Sequence, residues 1–93
     1  MSLLTSAVSM TKAMVQIDST DLGTYEKPWT DRIEQQLSDL SNVLITRENV
    51  LPGRPNLMAE IPGPKQFPAL VMICHMDTVV IGDGWTLPPF EAH

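Results

Sequence analysis

The chain has little of what marks disulfide-bonded, membrane-spanning or secreted proteins. Its 93 residues include one cysteine, Cys74, which excludes an intramolecular disulfide and suits the reducing cytosol. No apolar run approaches the ~20 residues that a membrane-spanning helix needs, and the first residues lack the basic and apolar regions of a secretory signal. These absences predict a cytoplasmic protein with no membrane partner.

Basic residues are also scarce. Six lysines and arginines stand against eleven aspartates and glutamates, which gives a formal net charge of −5. Because nucleic acids and anionic membranes select basic surfaces, this balance argues against both as partners. The two charge signs are mixed with 43% hydrophobic residues, a composition typical of a globular chain.

Two segments have the apolar spacing of an amphipathic helix. In the first, apolar residues recur at steps of three and four, at Leu3, Ala7, Met10, Met14 and Ile17. The second has the same spacing at Trp29, Ile33, Leu37 and Leu40. This periodicity predicts helices near residues 4–18 and 25–41, with Thr24 as the expected N-cap of the second.

The pattern changes after Ser41 and predicts strands. β-Branched and apolar residues concentrate at 43–47 and 56–61, and a loop with Pro and Gly separates these two segments. Residues 69–75 are the most apolar run and predict a third strand, covered on both faces. The fold class is therefore α/β, with two helices packed on the strands of a mixed sheet and the first two strands antiparallel.

This predicted sheet looks unfinished. Two helices and two other strands can hardly cover a strand that is apolar on both faces, so the domain is expected to be incomplete on its own. An exposed apolar edge promotes association. We therefore expect the rest of a larger domain, or another copy of the chain, to cover the exposed sheet.

A His-x-Asp pair stands at the end of the apolar run. Side chains two residues apart on a strand point to the same side, as His75 and Asp77 would. The Asp77 carboxylate could then accept the ring N–H of His75 and leave the other ring nitrogen for a metal. Metal chemistry is the leading interpretation, and a hydrogen-bonded core histidine is the alternative. Cys74, on the opposite face, is interpreted as a buried, inert thiol.

Several stretches together resemble the M20 family of zinc metallopeptidases, which includes acetylornithine deacetylase, succinyl-diaminopimelate desuccinylase and glutamate carboxypeptidase. The stretches are Gln16-Ile17-Asp18-Ser19, Arg54-Pro55-Asn56-Leu57, the run 69–75, His75-Met76-Asp77-Thr78-Val79 and Trp85-Thr86-Leu87-Pro88-Pro89-Phe90. The similarity extends over nearly the whole chain. It implies that residues 1–93 are the N-terminal segment of a zinc-exopeptidase-like catalytic domain, whose remainder and dimerisation domain are absent.

The resemblance also implies a site and a reaction. It makes His75 a ligand in a centre of two zinc ions, or of zinc and cobalt, and Asp77 a catalytic residue beside that ligand. The complete enzyme is expected to be a homodimer that hydrolyses an amide or peptide bond of a small peptide or N-acyl amino acid. The 93 residues alone carry too few ligands to hold the metal tightly or to be active. The alternative function is a short non-catalytic interaction or scaffold module that retains the fold.

Overall fold

The structure, a computed structural model, describes residues 2–65 and 69–93. It has two helices and one antiparallel hairpin, in the order α1 (Leu3–Val15), α2 (Lys27–Leu37), β1 (Leu44–Leu51) and β2 (Arg54–Glu60). The molecule is somewhat extended and measures 52 × 37 × 22 Å. Neither helix has the length and apolar character needed to cross a membrane, in the part of the chain that is described.

Helix α1 has a clear beginning and an early end. The hydroxyl of Ser2 accepts a hydrogen bond from the Thr5 N–H at 3.1 Å and caps the helix. The helix ends at Val15 rather than at the predicted residue 18. After it, the Asp18 carboxylate accepts from the N–H and hydroxyl of Thr20, at 2.9 and 2.5 Å. Such local side-chain bonds compete with helix formation.

The apolar stripe of α1 is only partly covered. Met10, Met14 and Ile17 are half-buried, whereas Ala7 is exposed. Within the described residues, α2 is the helix that packs against β2, and α1 makes no comparable contact with either strand. The predicted packing of both helices on the sheet therefore holds for α2 alone.

Helix α2 is shorter than predicted at both ends. It begins at Lys27, with a proline in its first turn where the missing N–H costs nothing. Its N-cap is Glu26 and not Thr24, because the Thr24 hydroxyl donates to the Asp18 carboxylate at 3.0 Å instead. The helix ends at Leu37, short of the predicted residue 41.

The hairpin confirms the predicted antiparallel neighbours. Its register pairs Leu44 with Glu60 and becomes irregular between Asn49 and Leu51, next to the turn. Gly53 in that turn has φ +75°, a left-handed conformation that glycine adopts without strain. Both strands run further toward the turn than predicted, because each satisfies the backbone hydrogen bonds of the other.

The predicted third strand is wrong. Residues 69–75 have no regular secondary structure, and the first bridge after them is a parallel one between Thr20 and Thr78. The apolar residues 70–73 are exposed, as is Cys74, which was expected to be buried. Apolar composition signals a tendency to be buried, but a strand also needs a backbone partner, and the sheet consists of β1 and β2 only in the described residues. The sheet is therefore an antiparallel hairpin and not mixed.

Burial is concentrated in one small place. The largest fully buried side chains are Thr30, Pro55 and Ser19, and they lie where the segment 19–26 meets α2 and the start of β2. The buried polar side chains are those of Ser19, Glu26 and Thr30, and we call these three residues the polar core. Apart from Pro55, no aliphatic, aromatic or sulfur-containing residue is buried in the parts of the chain that the structure describes.

Candidate metal-ligand site

His75 has a defined ring orientation although its side chain is 85% exposed. Its Nδ1 lies 2.8 Å from the backbone carbonyl oxygen of Asp77. Because a carbonyl can only accept, Nδ1 carries the proton in the neutral ring, and Nε2 keeps its lone pair. This is the tautomer that a metal ligand binding through Nε2 requires.

The acceptor of this hydrogen bond is not the one expected from the sequence. The Asp77 carboxylate oxygen lies 3.6 Å from His75 Nδ1, which is too far for a hydrogen bond. Residues 69–77 do not form a strand, and the backbone carbonyl of Asp77 faces the ring instead of the carboxylate. Asp77 thus contributes a backbone oxygen to His75, and its carboxylate stands beside the ring.

The backbone just after His75 is anchored to the segment that follows α1. The Ser19 hydroxyl donates to the Met76 carbonyl at 2.7 Å. The Thr78 N–H donates to the Ser19 carbonyl at 3.2 Å, and the Asp21 N–H donates to the Thr78 carbonyl at 2.9 Å. Three hydrogen bonds therefore hold residues 76–78 in place.

The Met76 side chain is also held. The hydroxyl of Thr30, which is fully buried, donates to the Glu26 carbonyl at 2.9 Å, and its oxygen lies 3.4 Å from the sulfur of Met76. Sequence periodicity gave no reason to connect Ser19 or Thr30 with His75. The nearest signal was the resemblance of the stretch Gln16–Ser19 to the opening segment of the metallopeptidases.

A groove of ≈ 420 Å³ lies beside the ring. His75 and Asp77 line it together with Glu26, Arg54 and Asn56. Two of the motif stretches, around Arg54 and around His75, therefore come together in space.

Arg54 ties the hairpin to the segment before α2. Its guanidinium binds both oxygens of Glu26, at 3.0 Å from Nε and 2.5 Å from Nη2, and its Nη1 lies 3.4 Å from Asp21. The guanidinium also lies 4.5 Å from the centre of the Tyr25 ring, a cation–π distance. The hydrogen bonds from Arg54 lower the pKa of Glu26, and those to Glu26 raise the pKa of Arg54.

A second ion-pair cluster joins α2 to β1. Arg47 binds Asp31 at 2.8 Å and also binds Glu34. Asp31 accepts a further bond from Lys27 at 2.7 Å. The bonds from Lys27 and then Arg47 lower the pKa of Asp31. None of these four residues is among those that line the described groove, and the cluster links α2 to the hairpin.

The described residues do not complete a zinc site. No group of three histidine, cysteine, aspartate or glutamate side chains is suitably placed for a metal among them, whereas catalytic zinc takes three protein ligands and a water. The neutral ring of His75 offers one free nitrogen, Nε2. Comparisons with protein-family models, curated proteins and solved structures found no match to this chain.

Proposed function

We propose that the chain is the N-terminal portion of a cytoplasmic, metal-dependent hydrolase that resembles the M20 metallopeptidases. Zinc, or zinc with cobalt, is the proposed metal, and the substrate is a small peptide or N-acyl amino acid whose amide bond is cleaved. The single observation that supports this most is the hydrogen bond from His75 Nδ1 to the Asp77 carbonyl, at 2.8 Å. It leaves Nε2 as a ready ligand at the edge of a groove.

In this proposal Asp77 supports the metal ligand His75. Its carboxylate oxygen, 3.6 Å from His75 Nδ1, gives negative charge beside the imidazole and makes a cation next to the ring more favourable. Its backbone carbonyl fixes the tautomer. The two contributions can be separated, because a substitution of the side chain leaves the carbonyl in place.

The other ligands and the base that activates a water would come from outside these 93 residues. The described residues offer one imidazole and no convergent set. We therefore expect the 93-residue chain to bind zinc weakly and to hydrolyse neither dipeptides nor N-acetyl amino acids. Turnover that co-purifies with this chain through size exclusion would contradict that expectation.

The reading frame that encodes the chain offers the most direct test. If the proposal is right, the codons after His93 encode a glycine-rich stretch with an aspartate, and later a Glu-Glu pair and a histidine, as in the metallopeptidases. A stop codon directly after His93 would refute the proposal.

Metal content and rate of the complete reading-frame product then test the residues. His75→Ala should lose one metal equivalent, while His93→Ala, which removes a histidine bonded to Glu91 at 2.9 Å, should retain both. Asp77→Asn should keep the ring orientation and lose about 10–100-fold in metal affinity or turnover. Full metal occupancy with normal turnover in His75→Ala would show that this histidine is not a ligand.

One observation favours the alternative, a non-catalytic interaction or scaffold module. The side chains of Leu70, Val71, Met72 and Ile73 are 72–92% exposed, and such an apolar surface is typical of an association site. In the hydrolase proposal the remainder of the catalytic domain covers this surface, or a second copy does so. A stop codon after His93, together with self-association of the 93-residue chain, would favour the module.

A further inference from the structure

The hydroxyl of Ser19 is a buried polar group to which the proposed function gives no role. This residue is 2% exposed and is one of three polar or charged residues that are buried in the described part of the chain. Its hydroxyl does not cap a helix or bind its own turn. Instead it donates across 57 positions of sequence to the Met76 carbonyl, at 2.7 Å.

We propose that Ser19 is a positioning residue for His75. Its hydroxyl donates to the Met76 carbonyl, and its backbone carbonyl accepts from the Thr78 N–H in the parallel bridge. The proposal rests on the proposed function in one respect: a bound metal would use Nε2, the ring nitrogen that this arrangement leaves free. The orientation of the ring itself requires no metal.

Few hydrogen bonds separate Ser19 from the ring of His75. The ring of His75 is oriented by the carbonyl of Asp77, at 2.8 Å. Asp77 lies between Met76, whose carbonyl is held by the Ser19 hydroxyl, and Thr78, whose N–H is held by the Ser19 carbonyl. Ser19 thus holds the peptide units on both sides of the residue that orients the ring.

An exposed ring needs such an anchor. The His75 side chain is 85% exposed, so burial does not restrict its rotation or select its tautomer. In water a free histidine side chain favours the proton on Nε2, the opposite of the arrangement here. If the carbonyl of Asp77 moves, the ring should return to the solvent preference.

The test measures the tautomer of His75 in the 93-residue chain without metal. The ring ¹⁵N resonances are recorded at alkaline pH, where the neutral ring is observed, and are assigned by their loss in His75→Gln. The variant is Ser19→Ala. The matched control is Ser38→Ala, which removes another serine hydroxyl that donates to a carbonyl at 2.7 Å, on an exposed part of the chain.

We expect the wild type and Ser38→Ala to hold the proton mainly on Nδ1. Ser19→Ala should hold it mainly on Nε2, with the amide resonances of the hairpin unchanged. An Nδ1 proton retained in Ser19→Ala would overturn the proposal, and so would an Nε2 proton in the wild type.

A second measurement covers the case in which Ser19→Ala does not fold. Amide exchange in the wild type should be slower at Thr78 and Asp21, whose N–H groups form the bridge, than in the exposed residues 70–74. Equal exchange rates would overturn the proposal. Zinc added to the complete protein tests the metal separately: no response at His75 Nε2 would refute the function and leave the role of Ser19 intact.

Discussion

The segments 19–26 and 70–73 differ in which side chains they bury. In the first, polar groups are buried and paired: Ser19 with Met76, and Glu26 with Arg54. In the second, four consecutive apolar side chains are exposed. Burial of one large aliphatic side chain stabilises a fold by ~1.5–3 kcal/mol, and none of that gain is realised for the exposed segment.

The difference shows what holds this part of the chain together. Hydrogen bonds and ion pairs around the polar core link distant segments of it, and their geometry selects one arrangement. Hydrophobic burial is non-directional and needs only a covering surface. The polar contacts therefore define where residues 76–78 lie, while the apolar segment stays available for whatever covers it.

The largest effect is expected from Arg54→Ala, which removes the link between β2 and the segment before α2. It leaves the Glu26 carboxylate, 7% exposed, without its cationic partner, and an uncompensated buried charge is strongly destabilising. The melting temperature should fall on the order of 10 °C. Arg32→Ala is the control, since Arg32 is exposed on α2 and its guanidinium donates to the side-chain oxygen of Gln36 at 3.3 Å. Equal melting temperatures for the two variants would mean that the ion pair does not anchor the hairpin.

The second-largest effect is expected from acid, which should lower the unfolding free energy through the Glu26–Arg54 pair. Because hydrogen bonds from Arg54 lower the pKa of Glu26 below its ordinary value of about 4.5, the folded state binds this proton less readily than the unfolded state. The stabilisation is therefore present above pH 4.5 and is lost as the pH falls through the lowered pKa. The slope of unfolding free energy against pH should be smaller in Glu26→Gln, by at most about 1.4 kcal/mol per pH unit.

Glu60→Gln provides the comparison for that experiment, because Glu60 is exposed at the end of β2. Chemical denaturation at a series of pH values measures the slope. An unchanged slope in Glu26→Gln would contradict the assignment of the acid sensitivity to the Arg54 pair.

A moderate effect is expected from Thr30→Val, which keeps the shape of the side chain and removes its hydroxyl. The hydrogen bond to the Glu26 carbonyl and the contact with the Met76 sulfur are lost, at a cost of about 1 kcal/mol in unfolding free energy. Thr11→Val removes a similar bond, to the Ala7 carbonyl at 2.8 Å, at an exposed position of α1, and should cost less. Urea titration compares them, and the Met76 methyl resonance should shift in Thr30→Val alone.

The smallest effect on stability is expected from Ile73→Ser. The residue is 92% exposed, so the unfolding free energy of the monomer should change by less than about 0.5 kcal/mol. Ile45→Ser, at a half-buried position of β1, should cost more. If Ile73→Ser is the more destabilising and its effect grows with protein concentration, another copy covers the segment in solution.

Local sequence determined the helices and the hairpin. The period of three and four residues located α1 and α2, and the Pro-Gly turn between two β-rich stretches located β1 and β2, because these signals act between near neighbours. The ends were less predictable. Asp18 accepts hydrogen bonds from Thr20 and Thr24. The bond to Thr20 competes with continuation of α1, and the bond to Thr24 leaves its hydroxyl unable to cap α2.

The tertiary structure alone decided the surroundings of His75. The sequence placed His75 and Asp77 two residues apart and suggested that one ring nitrogen is left free, but it pointed to the wrong oxygen as acceptor of the other. Whether 69–75 forms a strand depends on a backbone partner, and the anchor at Ser19 depends on a contact between positions 19 and 76. Neither is encoded in local spacing, since hydrogen bonds between distant segments form only where the whole chain brings donor and acceptor together.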